Sequence, residues 1–131
     1  MKPDLEYLKQ LLTAFQSAPD PTIDIEDLKT AGLAYDDPKF EFHMRLLQDQ
    51  HFVESDLGGI GLSRGADGGI TWSVVPLRLT ASGHEFAEAL GNSKVVQTLK
   101  DKFAGASIAT MSQVAVAIFK VELAKHTGLK F

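Results

Sequence analysis

The stretch from Pro38 to Gln50 constrains the fold most, because a helical repeat of apolar residues is followed directly by a strand–glycine loop–strand pattern. Phe40, His43, Met44 and Leu47 fall on one face, with Leu46 beside them. Lys39, Glu41, Arg45, Gln48 and Asp49 fall on the other, so the segment must lie over a core and show water a polar side. Asp36 or Asp37 supplies an N-cap, and Pro38 suits a first turn, where its missing N–H has no partner to lose. His51–Ser55 then reads as a strand and Leu57–Gly69 as a flexible, glycine-rich loop. A second strand is expected over Ile70–Val75, with Pro76 at its end or at an edge bulge and Leu77–Leu79 continuing it.

Helical spacing governs most of the remainder. Leu5, Leu8, Leu11, Leu12 and Phe15 share one face of a first helix that Asp4 can cap. Ala18-Pro19-Asp20-Pro21 ends it, since proline lacks the N–H and restricts the residue before it. Thr22–Ile25 alternates as a short strand would, and Ile25–Thr30 reads as a short helix closing near Gly32. Three helices are expected after residue 79. Thr80 caps the first, with Ser82 and Glu85 a competing capping box, His84, Phe86, Ala87 and Leu90 within it, and Gly91 as its stop. Asn92 or Ser93 opens the second, which holds Val95, Val96, Leu99 and Phe103 and ends at Gly105. Thr110-Met111-Ser112-Gln113 signals the third, expected from Met111 to His126 with Gly128 beyond it.

With 131 residues, 44% hydrophobic and 23% charged, the chain is long enough for one core and too short for two. The longest nearly apolar run, Val114–Leu123, is broken by Lys120 and Glu122, so no membrane span is expected. Met1-Lys2-Pro3-Asp4 has no apolar core behind a basic end, so no signal peptide is expected. The absence of cysteine removes disulfides, thiolate metal sites and a cysteine nucleophile, and fits a cytoplasmic protein.

The order helix, short strand, short helix, helix, strand, loop, strand is that of a winged helix-turn-helix. The expected class is therefore α+β: one domain with a winged core over residues 1–79, a β-hairpin wing and a C-terminal extension of about three helices over 80–131. Three groups of residues carry a family likeness as well: Lys2-x-Asp4 with the leucine-rich helix, Tyr35-x(7)-His43-x-x-Leu46-Leu47, and Leu79-Thr80-x-x-Gly83-His84-x-Phe86. Together they resemble the small bacterial and phage domain-of-unknown-function family numbered twenty-five thirteen, over Lys2 to the Gly128-Leu129 end. Pro38, Phe40 and a longer, more glycine-rich wing depart from the family's pattern. The resemblance implies a winged-helix-like fold and brings no established activity with it.

Two functional expectations follow. The first is a DNA-binding transcriptional regulator of bacterial or prophage origin, with Lys39, Arg45 and Gln48 entering the major groove and Arg64 reaching from the wing. Arg and Gln can make bidentate contacts to base edges. Charge opposes this reading. Residues 1–56 carry five Lys/Arg against twelve Asp/Glu, a net of -7, whereas residues 57–131 carry eight against five, a net of +3. Segment 34–50 is itself at -2, and phosphate is repelled by such a face. The second expectation is a protein-interaction module that pairs with its own copy. Ala115, Val116, Ile118, Phe119 and Leu123 leave the last helix little polar surface, so a second copy or the preceding helices must bury it. Lys94, Lys100, Lys102, Lys120, Lys125 and Lys130 read as a phosphate-contacting patch, as a match for the acidic front of a neighbouring copy, or as solvated charge.

Catalytic constellations are missing. His43, His51, His84 and His126 show no metal-binding spacing; a meeting of His43 and His84 through the core would still lack further metal ligands, and a buried, hydrogen-bonded histidine is the simpler reading. Ser63, Ser73 and Ser82 lack a nucleophile-elbow pattern. Gly58-Gly59-Ile60-Gly61 lacks the Gly-Lys-Ser/Thr ending of a phosphate loop. Trp72 reads as a packed strand residue before it reads as a base-stacking platform. The chain is expected to be non-enzymatic, with no metal and no cofactor.

Overall fold

Short polar side chains start all six helices found among residues 1–128, the part of the chain that the computed structural model describes. Asp4 precedes α1 (Leu5–Gln16), Asp24 precedes α2 (Ile25–Thr30) and Asp37 precedes α3 (Pro38–Asp49). Thr80, Asn92 and Ser107 precede α4 (Ala81–Leu90), α5 (Ser93–Lys102) and α6 (Ile108–Thr127). Each accepts a backbone N–H of the first turn, which has no partner inside the helix. The apolar stripes then meet in one hydrophobic cluster fed by both halves of the chain. Leu8 and Leu11 of α1, Phe40 and Leu47 of α3, and Phe86 of α4 are all 0% exposed.

The strands form two antiparallel pairs, and the protein is a mixed α+β fold. β1 (Val53–Ser55) pairs with β4 (Leu77–Leu79), Glu54 facing Arg78. Nested between them, β2 (Leu62–Arg64) pairs with β3 (Ile70–Trp72), Ser63 facing Thr71. Trp72 meets the Phe40 ring edge-on at 5.2 Å, which lays the inner pair against α3.

This corrects several expectations. Leu57–Gly69 is not one flexible loop joining paired neighbours, because β2 lies inside it and β1 pairs with β4 rather than with β3. Ile70–Leu79 is not a continuous strand: β3 stops at Trp72, and Pro76 has no N–H to give a ladder. Thr22–Ile25 contributes a single bridge, Ile23 to Leu77, since Asp24 and Asp27 close a capping box that turns Ile25 into helix. α6 starts at Ile108, not Met111: Ser107 captures the Thr110 N–H, and Ile108 is buried. α5 ends one turn before Gly105, with Phe103 as its C-cap.

The end of α3 carries a local misfit that can be tested. His51 N–H donates to the Gln48 carbonyl and Phe52 N–H to the Leu47 carbonyl, the paired bonds that finish a helix with a left-handed residue. That residue is His51, with φ 57°, where glycine is usual. Replacing the exposed His51 by glycine should therefore raise stability by about 0.5 kcal/mol in chemical denaturation. A loss of that size would contradict the left-handed backbone.

Candidate functional site

On α3, residues 41, 45 and 48 are spaced so that they follow one another along the helix surface. Arg45 lies one turn after Glu41, and its Nη1 meets Glu41 Oε2 at 3.2 Å. Arg64, at the end of β2, brings its Nη2 to the same oxygen at 3.3 Å and also donates to the Gly68 carbonyl. Helix and ribbon thus bring two guanidinium groups to one carboxylate. Glu41 is the site residue that the sequence reading left in the background; its i,i+4 spacing to Arg45 was the available signal. Gln48 is half-buried one turn beyond Arg45.

Lys39 does not join this group. It pairs with Asp4 at 3.0 Å and lies over the Tyr7 ring, 5.7 Å from its centroid. This ammonium is the main reason the Asp4 carboxyl titrates below its ordinary value, with the Tyr7 N–H adding to the effect. Lys39 therefore ties α3 to the start of α1, away from the two arginines.

The lysines of the later helices are dispersed in the same way. Lys94 and Lys125 both reach Glu122 Oε1 at 3.2 Å, and Lys94 first, then Lys125, hold the Glu122 carboxyl below its usual value. Lys100 meets Glu6 of its own chain at 2.7 Å. Lys130 lies outside the described residues, as does Leu129 at the end of the family likeness. The Lys100–Glu6 pair is exposed and adds little stability, whereas Glu122 is itself buried, and all of these pairs lower the net positive field that the lysines present.

α6 buries one side only. Ala115 is 0% exposed and belongs to the core of its own chain, so it is not surface for a second copy. Val116, Ile118, Phe119 and Leu123 are half-buried, and Val121 is 54% exposed. Among the described residues no helix is long and apolar enough to cross a membrane.

His43 is 0% exposed: its Nδ1–H donates to the Lys39 carbonyl at 2.7 Å, and its Nε2 accepts the Asp4 N–H at 2.9 Å. His84 is exposed on α4, so the two histidines do not meet through the core. The α4 cap is Thr80, not Ser82, and Glu85 is not its partner. No group of three or more His, Asp or Glu among the described residues is placed to hold a metal ion. Compared with known proteins, the chain matches no family model, no curated protein and no solved structure.

Proposed function

We propose that the chain is a winged-helix module that contacts duplex DNA through α3 and the β2–β3 ribbon, as a regulator in a bacterial or prophage setting. The fold half of this reading rests on element order and on one pairing. Ile23, between α1 and α2, bridges to Leu77 of the returning strand, whose other neighbour is β1. A strand before the helix pair, laid beside the strand that returns from the wing, is how a winged core closes. The bacterial or phage setting rests on the motif resemblance alone, since no family model matches the chain.

The observation that carries DNA contact is the convergence of Arg45 and Arg64 on Glu41 Oε2. Two guanidinium groups arriving at one oxygen from a helix and a ribbon form a fork that a backbone phosphate can occupy in place of the carboxylate. Gln48, one turn on, lies where a base edge would follow. Asp36, Asp37 and Asp49 flank this face, so binding should be weak at physiological salt.

Fluorescence anisotropy with a mixed-sequence duplex, read across a salt series, tests the reading. Retention at low salt is expected, and replacing both Arg45 and Arg64 by alanine should weaken it roughly 10-fold or more and flatten the salt slope by about 1. No retention by the parent protein at low salt would sink the reading.

A second reading, association through α6, is favoured by Val121 standing exposed beside half-buried Ile118 and Phe119. A doubled solution mass that Val121→Asp abolishes would support it, whereas a monomer at high concentration would remove it.

A further inference from the structure

The outer edge of β3 is open, and its backbone is phased to receive another strand. Ser73 N–H donates to the Gly61 carbonyl at 2.8 Å, and Gly65 N–H to the Gly69 carbonyl at 2.7 Å. Between these bonds the register sets Ser63 against Thr71. Bonded pairs alternate along an antiparallel ladder, so Thr71 turns its N–H and carbonyl towards β2 while Ile70 and Trp72 turn theirs outward. Unpaired groups of this kind are a template for a further strand.

A crevice of about 460 Å³ runs along β3, with three consecutive strand residues, Ile70 to Trp72, on one wall and the turn from Tyr35 to Pro38 and Glu41 on the other. Ile70 is 41% exposed and Trp72 half-buried, which gives this space an apolar floor. The facing wall is acidic. Glu41 is already held by Arg45 and Arg64, but Asp36 and Asp37 are exposed and have no ion-pair partner among the described residues. Among the described residues no Lys or Arg lines the crevice.

We propose that the open edge of β3 and the Tyr35–Pro38 turn form a docking slot for an extended, lysine- or arginine-bearing segment of a partner protein. Backbone hydrogen bonds to Ile70 and Trp72 hold such a segment, and alternate side chains then point to opposite faces. The set on the Ile70–Trp72 face looks into the crevice, where aliphatic stems cover Ile70 and Trp72 and the cationic heads reach Asp36 and Asp37 across it. Nucleic acid does not fit the slot, since its phosphates would face carboxylates. The slot adjoins the proposed DNA face and shares Glu41 with it, but neither arginine of that reading is needed to hold the segment.

A fluorescein-labelled octapeptide of alternating lysine and valine is the probe, with anisotropy as the readout on the full-length chain. The parent peptide should bind, and the same peptide with glutamate for lysine should not. N-methylation of the alternate residues that bond to β3 should weaken binding by about 10-fold or more, as expected for at least two lost hydrogen bonds. Asp36→Asn with Asp37→Asn should weaken it by about 5-fold while keeping α3 folded, because asparagine at residue 37 still caps the helix. Failure of the parent peptide to bind overturns the proposal. So does full binding by the N-methylated peptide, which would reduce the effect to bulk charge. A doubled mass of the chain that the same two substitutions abolish, without peptide uptake, would assign the edge to a second copy and overturn it too.

Discussion

Replacing Gly83 by alanine is expected to lower stability by about 3 kcal/mol and the thermal midpoint by about 10 °C. Gly83 lies in the first turn of α4, buried, and a methyl group there would fall on the carbonyl oxygen of Phe52. That oxygen has no room to retreat. It accepts the Thr80 N–H at 2.9 Å, and the Thr80 hydroxyl donates to the His51 carbonyl at 2.6 Å. The start of α4 is thereby pressed onto the junction between α3 and β1, and Phe86 meets the Phe52 ring 5.3 Å away. Helix propensity alone would favour alanine by about 1 kcal/mol, so the sign of the measured change decides between close approach and propensity. Gly105→Ala is the control, since a methyl group there meets nothing within 4 Å. Denaturant melts in which Gly83→Ala matches the parent would mean that α4 does not rest on Phe52.

The same glycine shows which parts of the fold a sequence reader can reach. α3 was legible because Phe40, His43, Met44 and Leu47 obey a 3.6-residue period and are all fully buried. Thr80 and Gly83 were visible as a cap and a spacing, but the reason for the glycine lies in Phe52, distant in sequence. The ribbon was read too simply. Leu62-Ser63-Arg64 is too short to show alternation among glycines, and strand pairing that skips from β1 to β4 leaves no local mark. α6 hid its start for the opposite reason: with apolar residues nearly all round, no single stripe fixes where it begins. The site follows the same rule. Arg45 and Arg64 were each visible as cations, and Glu41–Arg45 had helical spacing, but the meeting of Arg64 with Glu41 bridges 23 residues and needs the ribbon's fold. Outward-facing amides on β3 depend on register, which side-chain pattern does not encode when strands are three residues long.

Replacing His43 by phenylalanine is expected to cost about 2 kcal/mol at pH 7.5 and to flatten the loss of stability between pH 7 and pH 5. The substitution keeps a ring against Tyr7 and Phe42, which lie 4.7 and 5.1 Å from the imidazole, so packing is largely conserved. What it removes is a donor for the Lys39 carbonyl, which orients the ring within α3, and the acceptor for the Asp4 N–H, the bond that fastens the start of α1 to α3. Those bonds require the neutral ring with its proton on Nδ1. A second proton on Nε2 would point at the Asp4 N–H. Burial pushes the His43 pKa below its ordinary 6.5, an effect that the Lys39 carbonyl and the Asp4 and Asp37 carboxylates oppose without reversing it. In the unfolded chain His43 gains its proton as pH falls through about 6.5, while the folded protein resists it. His43 therefore contributes fully above that pH, and its contribution fades as the pH falls below it. Asp4 acts in the same direction at lower pH, because Lys39 holds its carboxyl below the usual value. Urea melts at pH 5, 6 and 7.5 should bring the parent and His43→Phe proteins closer together as pH falls. A gap that stays constant would mean that the ring is not held neutral between Asp4 and Lys39.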